Sequence, residues 1–186
     1  LLKKNDLYPV GKKLSDISTY SIEQELEKNP LVDRIECYST PSDKICIEIH
    51  QRIPILRVMT PNDDFFIDNQ GGIMPHNTHC VSHLVIVTGK VDKEFAKNEL
   101  YQFGDFLYNN PFWDAQIEQI NVLPNLDVEL VPRVGNHIIH LGKLEDYEAK
   151  LERLRKFYTK GLNAVGWNKY KRINVEFNNQ IICTKR

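Results

Sequence analysis

The sequence predicts an α+β fold: a small, partial unit of helix and hairpin, then a larger, mostly antiparallel β domain with two helices. Short segments that alternate apolar and polar residues recur along the chain, separated by turn residues. Two longer segments with helical periodicity, residues 93–108 and 145–162, interrupt them. Runs of hairpins with segregated helices are typical of α+β proteins.

The first unit contains a predicted helix followed by a hairpin. Residues 17–28 have Ser18 or Thr19 as the candidate N-cap, and apolar residues four positions apart on one face. Residues 31–39 and 44–49 then alternate on either side of a polar turn. This pattern predicts a β-hairpin packed on one or two helices.

The predicted hairpin register separates two of the four cysteines. The isoleucines of the second strand share one face, and Ile35 and Cys37 share a face of the first strand. Facing residues of an antiparallel pair point to the same face of the hairpin. Matching the apolar faces of the two strands therefore places the side chains of Cys37 and Cys46 on opposite faces. We therefore expect both thiols to be free.

We place a domain boundary near residues 58–63, which gives domains 1–60 and 61–186. The second domain opens with a predicted hairpin at residues 65–74, whose glycines permit positive φ in the turn. Residues 84–88 are a short apolar run, as expected of a strand buried on both faces.

The rest of the second domain reads as helix, three strands, helix and a closing strand pair, in a sheet of seven or eight strands. An Asn-Asn-Pro sequence stops the first helix, and lysine and arginine cover the outer side of the second. The predicted strands are residues 115–122, 126–132, 137–141, 172–177 and 181–184.

The last strand is predicted to be an uncovered edge. It is short and apolar, and a polar turn of asparagine and glutamine separates it from the strand before it. A terminal strand with a free row of N–H and C=O groups is a template for a strand from another chain. The candidate partner-binding residues of this edge are Asn179, Ile181, Ile182, Cys183 and Thr184.

Composition excludes several classes of function. The 186 residues are 41% hydrophobic and carry a net charge of −1, so the chain has no basic field to hold a phosphate backbone. It has no apolar run of eighteen residues that would span a membrane. The four cysteines have no CxxC spacing and indicate neither a disulfide framework nor a zinc ribbon.

One cluster offers metal-ligand chemistry. His76, His79, Cys80 and His83 are four potential ligands within eight residues, and on a helix they would share a face. The plainer interpretation is a polar loop between two strands, since the segment has few apolar residues to anchor a helix. No glutamate accompanies the histidines to act as a base in the HExxH manner.

The chain shows no sequence pattern of an enzyme. It has no GxSxG or SxxK motif, and its paired glycines lie in a predicted hairpin and not before a helix N-terminus. His137 and His140 lie on opposite faces of a predicted strand, so at most one could line a site. We expect a non-enzymatic protein without a cofactor.

Four blocks of sequence resemble the bacterial cell-division family FtsQ, called DivIB in Gram-positive bacteria. IEQELEKNPLVDRIECYS with KICIEIHQRIPILRV is similar to the end of a POTRA domain and its passage into the next domain. FFIDNQGGIMP and LVIVTG resemble the start of the family's β domain, and RINVEFNNQIICTKR resembles its end. Together the blocks cover nearly the whole chain in the family's order.

The resemblance implies a divisome scaffold. Such proteins have one transmembrane helix, then POTRA and β domains on the extracytoplasmic side of the cytoplasmic membrane. The first POTRA strand would then lie before Leu1, which agrees with residues 1–5 reading like the end of a helix. Family members bind the FtsB/FtsL pair (DivIC/FtsL elsewhere) in the septal peptidoglycan-synthesis complex. The partner adds a strand to the last β-strand, which implies a contact here at residues 181–184, beside Phe177.

The resemblance also implies a secondary partner surface at Cys37, Tyr38 and Ser39. One departure concerns charge: family members carry a basic residue near the turn at residues 122–125 that helps to hold an acidic partner segment, whereas this turn reads VLPN. Basic residues near the C-terminus are the candidates to replace it: Lys169, Lys171, Arg172, Lys185 and Arg186.

Two alternatives stay open from the sequence. A POTRA-type assembly or transport factor for outer-membrane proteins would need repeated POTRA units or a membrane β-barrel, and the chain contains neither pattern. A metal-binding protein or metal-dependent hydrolase would depend on the cluster at residues 76–83 alone.

Overall fold

The computed structural model, which describes residues 2–3, 5–76 and 83–186, confirms the α+β class. Contacts divide the chain into two compact units, Leu1–Ile53 and Pro54–Arg186. This division lies earlier than the predicted boundary at residue 60. The reason is that strand residues 54–59, placed by the sequence in the first domain, pair with strands of the second unit.

The first unit forms as its local sequence dictates. The side chain of Ser18 accepts a hydrogen bond from the Ser21 N–H at 3.2 Å, so the N-cap of the helix is the predicted one. Described residues at the start of the chain lie in turns and not in the predicted helix end. The elements are a 3₁₀ turn at Leu14–Asp16, α1 at Thr19–Glu27, β1 at Val32–Ser39 and β2 at Ile45–Gln51.

The hairpin of β1 and β2 has the predicted register. Cys37 lies opposite Ile47, and Cys46 lies opposite Tyr38, one position along. Neighbouring strand positions point to opposite faces, so the two thiols lie on opposite sides of the hairpin. Both cysteines are free, as predicted.

The second unit is built on one nine-stranded sheet in the order β11-β10-β9-β8-β7-β6-β3-β4-β5. It has more strands than the seven or eight predicted, and it is mixed: five strand pairs are antiparallel and three are parallel. The strands are β3 Pro54–Met59, β4 Asp64–Asp68, β5 Ile73–Pro75, β6 Val85–Gly89, β7 Ile117–Val122, β8 Val128–Pro132, β9 Ile138–Gly142, β10 Tyr170–Asn174 and β11 Ile182–Lys185.

Two long helical stretches, at residues 93–108 and 147–165, agree with the predicted helices. Each contains a π-helical segment, Ala96–Leu100 in the first and Tyr158–Leu162 in the second. The α-helical parts of the second unit are α2 Lys93–Phe95, α3 Tyr101–Tyr108, α4 Pro111–Gln116, α5 Tyr147–Phe157 and α6 Asn163–Val165.

Helix α4 is absent from the sequence prediction, which started a strand at residue 115. The side chain of Asn110 caps this helix by accepting the N–H groups of Phe112 and Trp113 at 3.2 and 3.4 Å, and Pro111 occupies its first turn. Asparagine before proline is an N-terminal helix signal as well as a stop for the preceding helix. The predicted strand start at residue 115 follows from the second meaning alone.

One hydrophobic core joins the sheet to the helices. Ile139 of β9 and Ile173 of β10 are fully buried in it, together with Leu151 and Leu154 of α5. The same cluster includes buried residues of the first helical stretch, such as Phe103. At the β8–β11 end, positions that alternate with these core residues lie on the opposite face of the sheet.

Candidate partner-binding edge

Strand β11 ends the nine-stranded sheet. It pairs antiparallel with β10, which in turn pairs parallel with β9. Within the part of the chain that the structure describes, β11 pairs with no strand on its other side. The C-terminal strand therefore lies at the edge of the sheet, where its backbone can accept a further strand.

The register identifies which backbone groups of β11 point outward. The Val175 N–H donates to the His140 carbonyl at 3.0 Å, so the backbone groups of Val175 and Ile173 face β9. The alternate residues of β10, Asn174 and Arg172, then face β11 and exchange hydrogen bonds with their register partners Ile182 and Thr184. The N–H and C=O of Cys183, between those partners, point away from the sheet.

The side chains of the edge divide between its two faces. Ile181 and Cys183 are half-buried and pack against the core, and burial raises the pKa of the Cys183 thiol. Ile182 is 48% exposed, and Thr184 is exposed as well. Phe177, in the loop before the strand, is 46% exposed, so two apolar side chains border the edge in solvent.

An arginine holds the loop that leads into β11. Strand β10 ends at Asn174, whose side chain accepts the Glu176 N–H at 2.8 Å in a local turn. The Arg153 guanidinium donates to the carbonyls of Val175 and Phe177 at 2.9 and 3.2 Å. Asn179 has a φ of 65°, as expected of asparagine in a tight turn.

A groove lies between the second helical stretch and this turn. It encloses about 470 Å³, and Phe157 and Ile181 supply apolar surface to its lining. We call it the basic groove, because an arginine and two lysines also line it. Its residues are Arg153, Lys156, Phe157, Lys160, Gly161, Asn179, Gln180 and Ile181.

Two family models match the chain. One, described as FtsQ/DivIB, C-terminal related, matches residues 53–184, and a POTRA-like domain matches residues 1–50. The first match spans more than half of the 186 residues. The chain belongs to the FtsQ/DivIB C-terminal-related family. No curated protein matches it. In the described residues, no helix is both long and apolar enough to cross a bilayer.

The two matches meet near the structural division of the chain. The POTRA-like match ends at residue 50, the FtsQ/DivIB C-terminal-related match begins at residue 53, and the compact units divide after Ile53. Sequence similarity and backbone contacts thus divide the chain at nearly the same place. The edge strand and the basic groove both lie in the FtsQ/DivIB-related unit.

The predicted basic residues of β10 have different surroundings. Lys171 lies at a β-bulge and is exposed. The Arg172 guanidinium is 2.6 Å from a Glu129 carboxylate oxygen, so it is already engaged inside the protein. The same carboxylate lies 3.8 Å from Nδ1 of His140, whose Nε2 is 3.4 Å from Glu176.

The three residues predicted as a secondary partner surface differ in exposure: Cys37 is buried, whereas Tyr38 and Ser39 are exposed. Cys37 is buried, and its N–H donates to a Glu23 carboxylate oxygen at 2.7 Å, which caps the edge of β1 there. The Tyr38 hydroxyl donates to Glu48 at 2.7 Å, and this bond raises the pKa of Tyr38 to about 12. Ser39 is exposed.

A lysine lies beside the turn that lacks the expected basic residue. Lys143, which directly follows β9, donates to the Asn125 carbonyl and lies 3.3 Å from an Asp127 carboxylate oxygen. Its side chain remains about half exposed, at 48%. A neighbouring strand end thus supplies a positive charge at the turn, a position that sequence reasoning did not consider.

The candidate metal ligands are only partly within the described residues. His79 and Cys80 lie outside them. His76 is 3.8 Å from Asp64 and packs against the Phe66 ring, and His83 is exposed. Among the described residues, no group of three His, Cys, Asp or Glu side chains is arranged to hold a metal ion.

Sequence reasoning missed the basic groove, although a signal for it exists. Arg153, Lys156 and Lys160 are spaced by three and four residues, which places them on one face of a helix. They were interpreted as the solvated side of an amphipathic helix. Only the fold shows that this face lies beside the turn into β11.

Proposed function

We propose that this chain is a non-enzymatic scaffold of the bacterial division complex. It acts on the extracytoplasmic side of the cytoplasmic membrane and binds FtsB/FtsL-like (DivIC/FtsL) partners that help to regulate septal peptidoglycan synthesis. The observation that carries the proposal is that, among the described residues, one edge of β11 has no strand partner, in a domain of the FtsQ/DivIB-related family.

The mechanism is strand addition to β11. An incoming strand forms ladder hydrogen bonds with the outward N–H and C=O of Cys183, which gives affinity without dependence on sequence. Exposed Ile182 on the strand and exposed Phe177 in the loop before it can supply apolar contacts to the added strand. Burying each of these side chains contributes on the order of 1 kcal/mol, because about half of its surface is still exposed.

Charge supports an acidic partner. Lys143 beside the turn at residues 123–127 and the cations of the basic groove lie in the same unit as β11. Their attraction would act mainly on the rate of association and on partner choice. The alternative of an outer-membrane assembly factor is less well supported, since it rests on the POTRA-like unit alone.

The test is a calorimetric titration of this chain with the extracytoplasmic segments of FtsB- and FtsL-like proteins. Three forms are compared: wild type, a chain truncated after Asn179, and Cys183→Pro, which removes an outward donor. We expect binding by wild type and its loss in both variants. Equal binding by all three forms would rule out strand addition at β11. If wild type does not bind, the proposal that FtsB- and FtsL-like proteins are its partners is wrong.

A matched control uses the edge of β1. Tyr38→Ala removes an exposed side chain from the first unit without touching β11. We expect its affinity to stay within about twofold of wild type, because the neighbouring Cys37 N–H is already bonded to Glu23. A large loss of affinity in this variant would indicate that the primary partner contact lies in the POTRA-like unit and not at β11.

A further inference from the structure

Positive charge surrounds the β11 edge on its helix side. Arg153, Lys156 and Lys160 line the basic groove, which also includes Ile181 just before the strand. Lys185, at the end of β11, is exposed. Lys185 and Cys183 are two positions apart on the strand, so both side chains point to the face on which the core and the helices lie.

A second copy of this chain could in principle pair with the same edge. Antiparallel pairing by the outward backbone groups matches odd-numbered residues with odd-numbered residues, for example Cys183 with Cys183 or with Lys185. In both registers Lys185 of the second copy lies on the helix side. It is opposite Ile181 of the basic groove in the first register, and opposite Cys183, two positions from Ile181, in the second. The pair is two-fold symmetric, so this contact between like charges occurs twice.

We propose that the basic groove makes the β11 edge selective: it excludes a second copy of this chain through Lys185, and it admits an extended segment that carries a carboxylate on its helix-side face. The inference rests on the proposed strand addition and specifies the chemistry of the added strand. It also assigns the groove a role, since charge is what distinguishes the accepted strand from the rejected one.

The groove is suited to a carboxylate next to an apolar side chain. Phe157 and Ile181 supply apolar surface, and Lys156 and Lys160 can reach a carboxylate placed above it. Lys156 already lies 3.6 Å from Glu152, and Arg153 bonds to two carbonyls of the loop, so Lys160 is the principal cation for a partner. An acidic segment adds opposite charge to the site, whereas Lys185 of a second copy adds like charge.

A charge-swap series tests the inference on the chain itself. Lys185→Glu turns the strand into the acidic probe, and Lys156→Glu with Lys160→Glu reverses the groove. We expect both variants to dimerise, with dissociation constants lower than that of wild type by about tenfold or more, because each symmetric contact changes from repulsive to attractive. The triple variant restores like charges and should be as monomeric as wild type.

Sedimentation equilibrium at low and high salt gives the readout. Added salt should weaken the variant dimers, since exposed charges are screened. Adding Cys183→Pro to Lys185→Glu should return the monomer, which ties the dimer to β11. The inference would be overturned by any of three results: Lys185→Glu is monomeric, the triple variant is dimeric, or wild type dimerises as well as the charge-swapped variants do. The outcome does not depend on the division partners, so failure of the proposed function would be seen separately in the titration.

Discussion

Proline substitution at two adjacent positions of β11 should have unequal effects on stability: a loss at residue 182 and almost no backbone effect at residue 183. The register directs the Ile182 N–H toward Asn174 of β10 and the Cys183 N–H away from the sheet. Proline removes the donor at either position. At residue 182 this breaks a ladder bond within the chain, whereas at residue 183 it removes a donor that only an added strand can use.

The magnitude follows from the hydrogen bond that is lost. Ile182→Pro leaves the Asn174 carbonyl without its strand partner, which costs about 1–3 kcal/mol where the acceptor is shielded from water. Cys183→Pro loses no such bond, so its backbone effect should be close to zero. Because side-chain packing also changes, each variant is compared with alanine at the same position, and the difference between proline and alanine isolates the backbone.

Urea unfolding of Ile182→Pro, Ile182→Ala, Cys183→Pro and Cys183→Ala gives the four free energies of unfolding. We expect the proline-minus-alanine difference at residue 182 to exceed that at residue 183 by about 1 kcal/mol or more. Amide exchange should show loss of protection in β10 for Ile182→Pro alone. A larger penalty at residue 183 would mean that Cys183 faces β10, and the argument for the outward groups would be wrong.

Three further outcomes test other parts of the structure. Gly104→Ala should lower the free energy of unfolding by about 1–2 kcal/mol, because a Cβ there would lie 2.7 Å from Cγ of buried Leu56. The strain from this contact exceeds the gain in helix propensity. Adding Leu56→Val should recover part of the lost stability. Burial lowers the pKa of His137, so the unfolded chain binds the proton more readily and stability falls as pH drops below about 6.5; the loss of stability between pH 7.5 and pH 5.5 should be smaller in His137→Gln. Cys37 should react with a thiol reagent more slowly than Cys46, since Cys37 is buried and burial raises its pKa; equal rates would contradict the hairpin register.

The hairpin of the first unit was predictable because its register is set by pattern alone. Isoleucine at every second position of β2 requires a pairing that places these residues on the same face as Ile35 and Cys37, and the structure has such a pairing. The turn before β11 was predictable for a similar local reason, since asparagine tolerates the positive φ found at residue 179. In both cases residues close together in the sequence determine the local structure.

The parts that sequence missed depend on distant contacts. Parallel pairing of β9 with β10 joins strands separated by a whole helical stretch, and no periodicity encodes it. That pairing determines which backbone groups of β11 point outward. The sequence therefore predicts Ile182 and Cys183 as edge residues alike and does not distinguish their backbone directions. The basic groove was missed in the same way, because its two sides come from α5 with its π-helical continuation and from the loop before β11.

The two ends of the nine-stranded sheet are protected differently. Strand β5, at one end, is only three residues long and finishes with Pro75, and both features block the addition of a strand whatever its charge. Strand β11, at the other end, contains no proline and is bordered by exposed apolar side chains. In the proposed mechanism its main protection is the positive charge around it, which would repel another basic strand and attract an acidic one. An edge protected by charge in this way can stay open for one class of partner while the isolated chain remains unpaired.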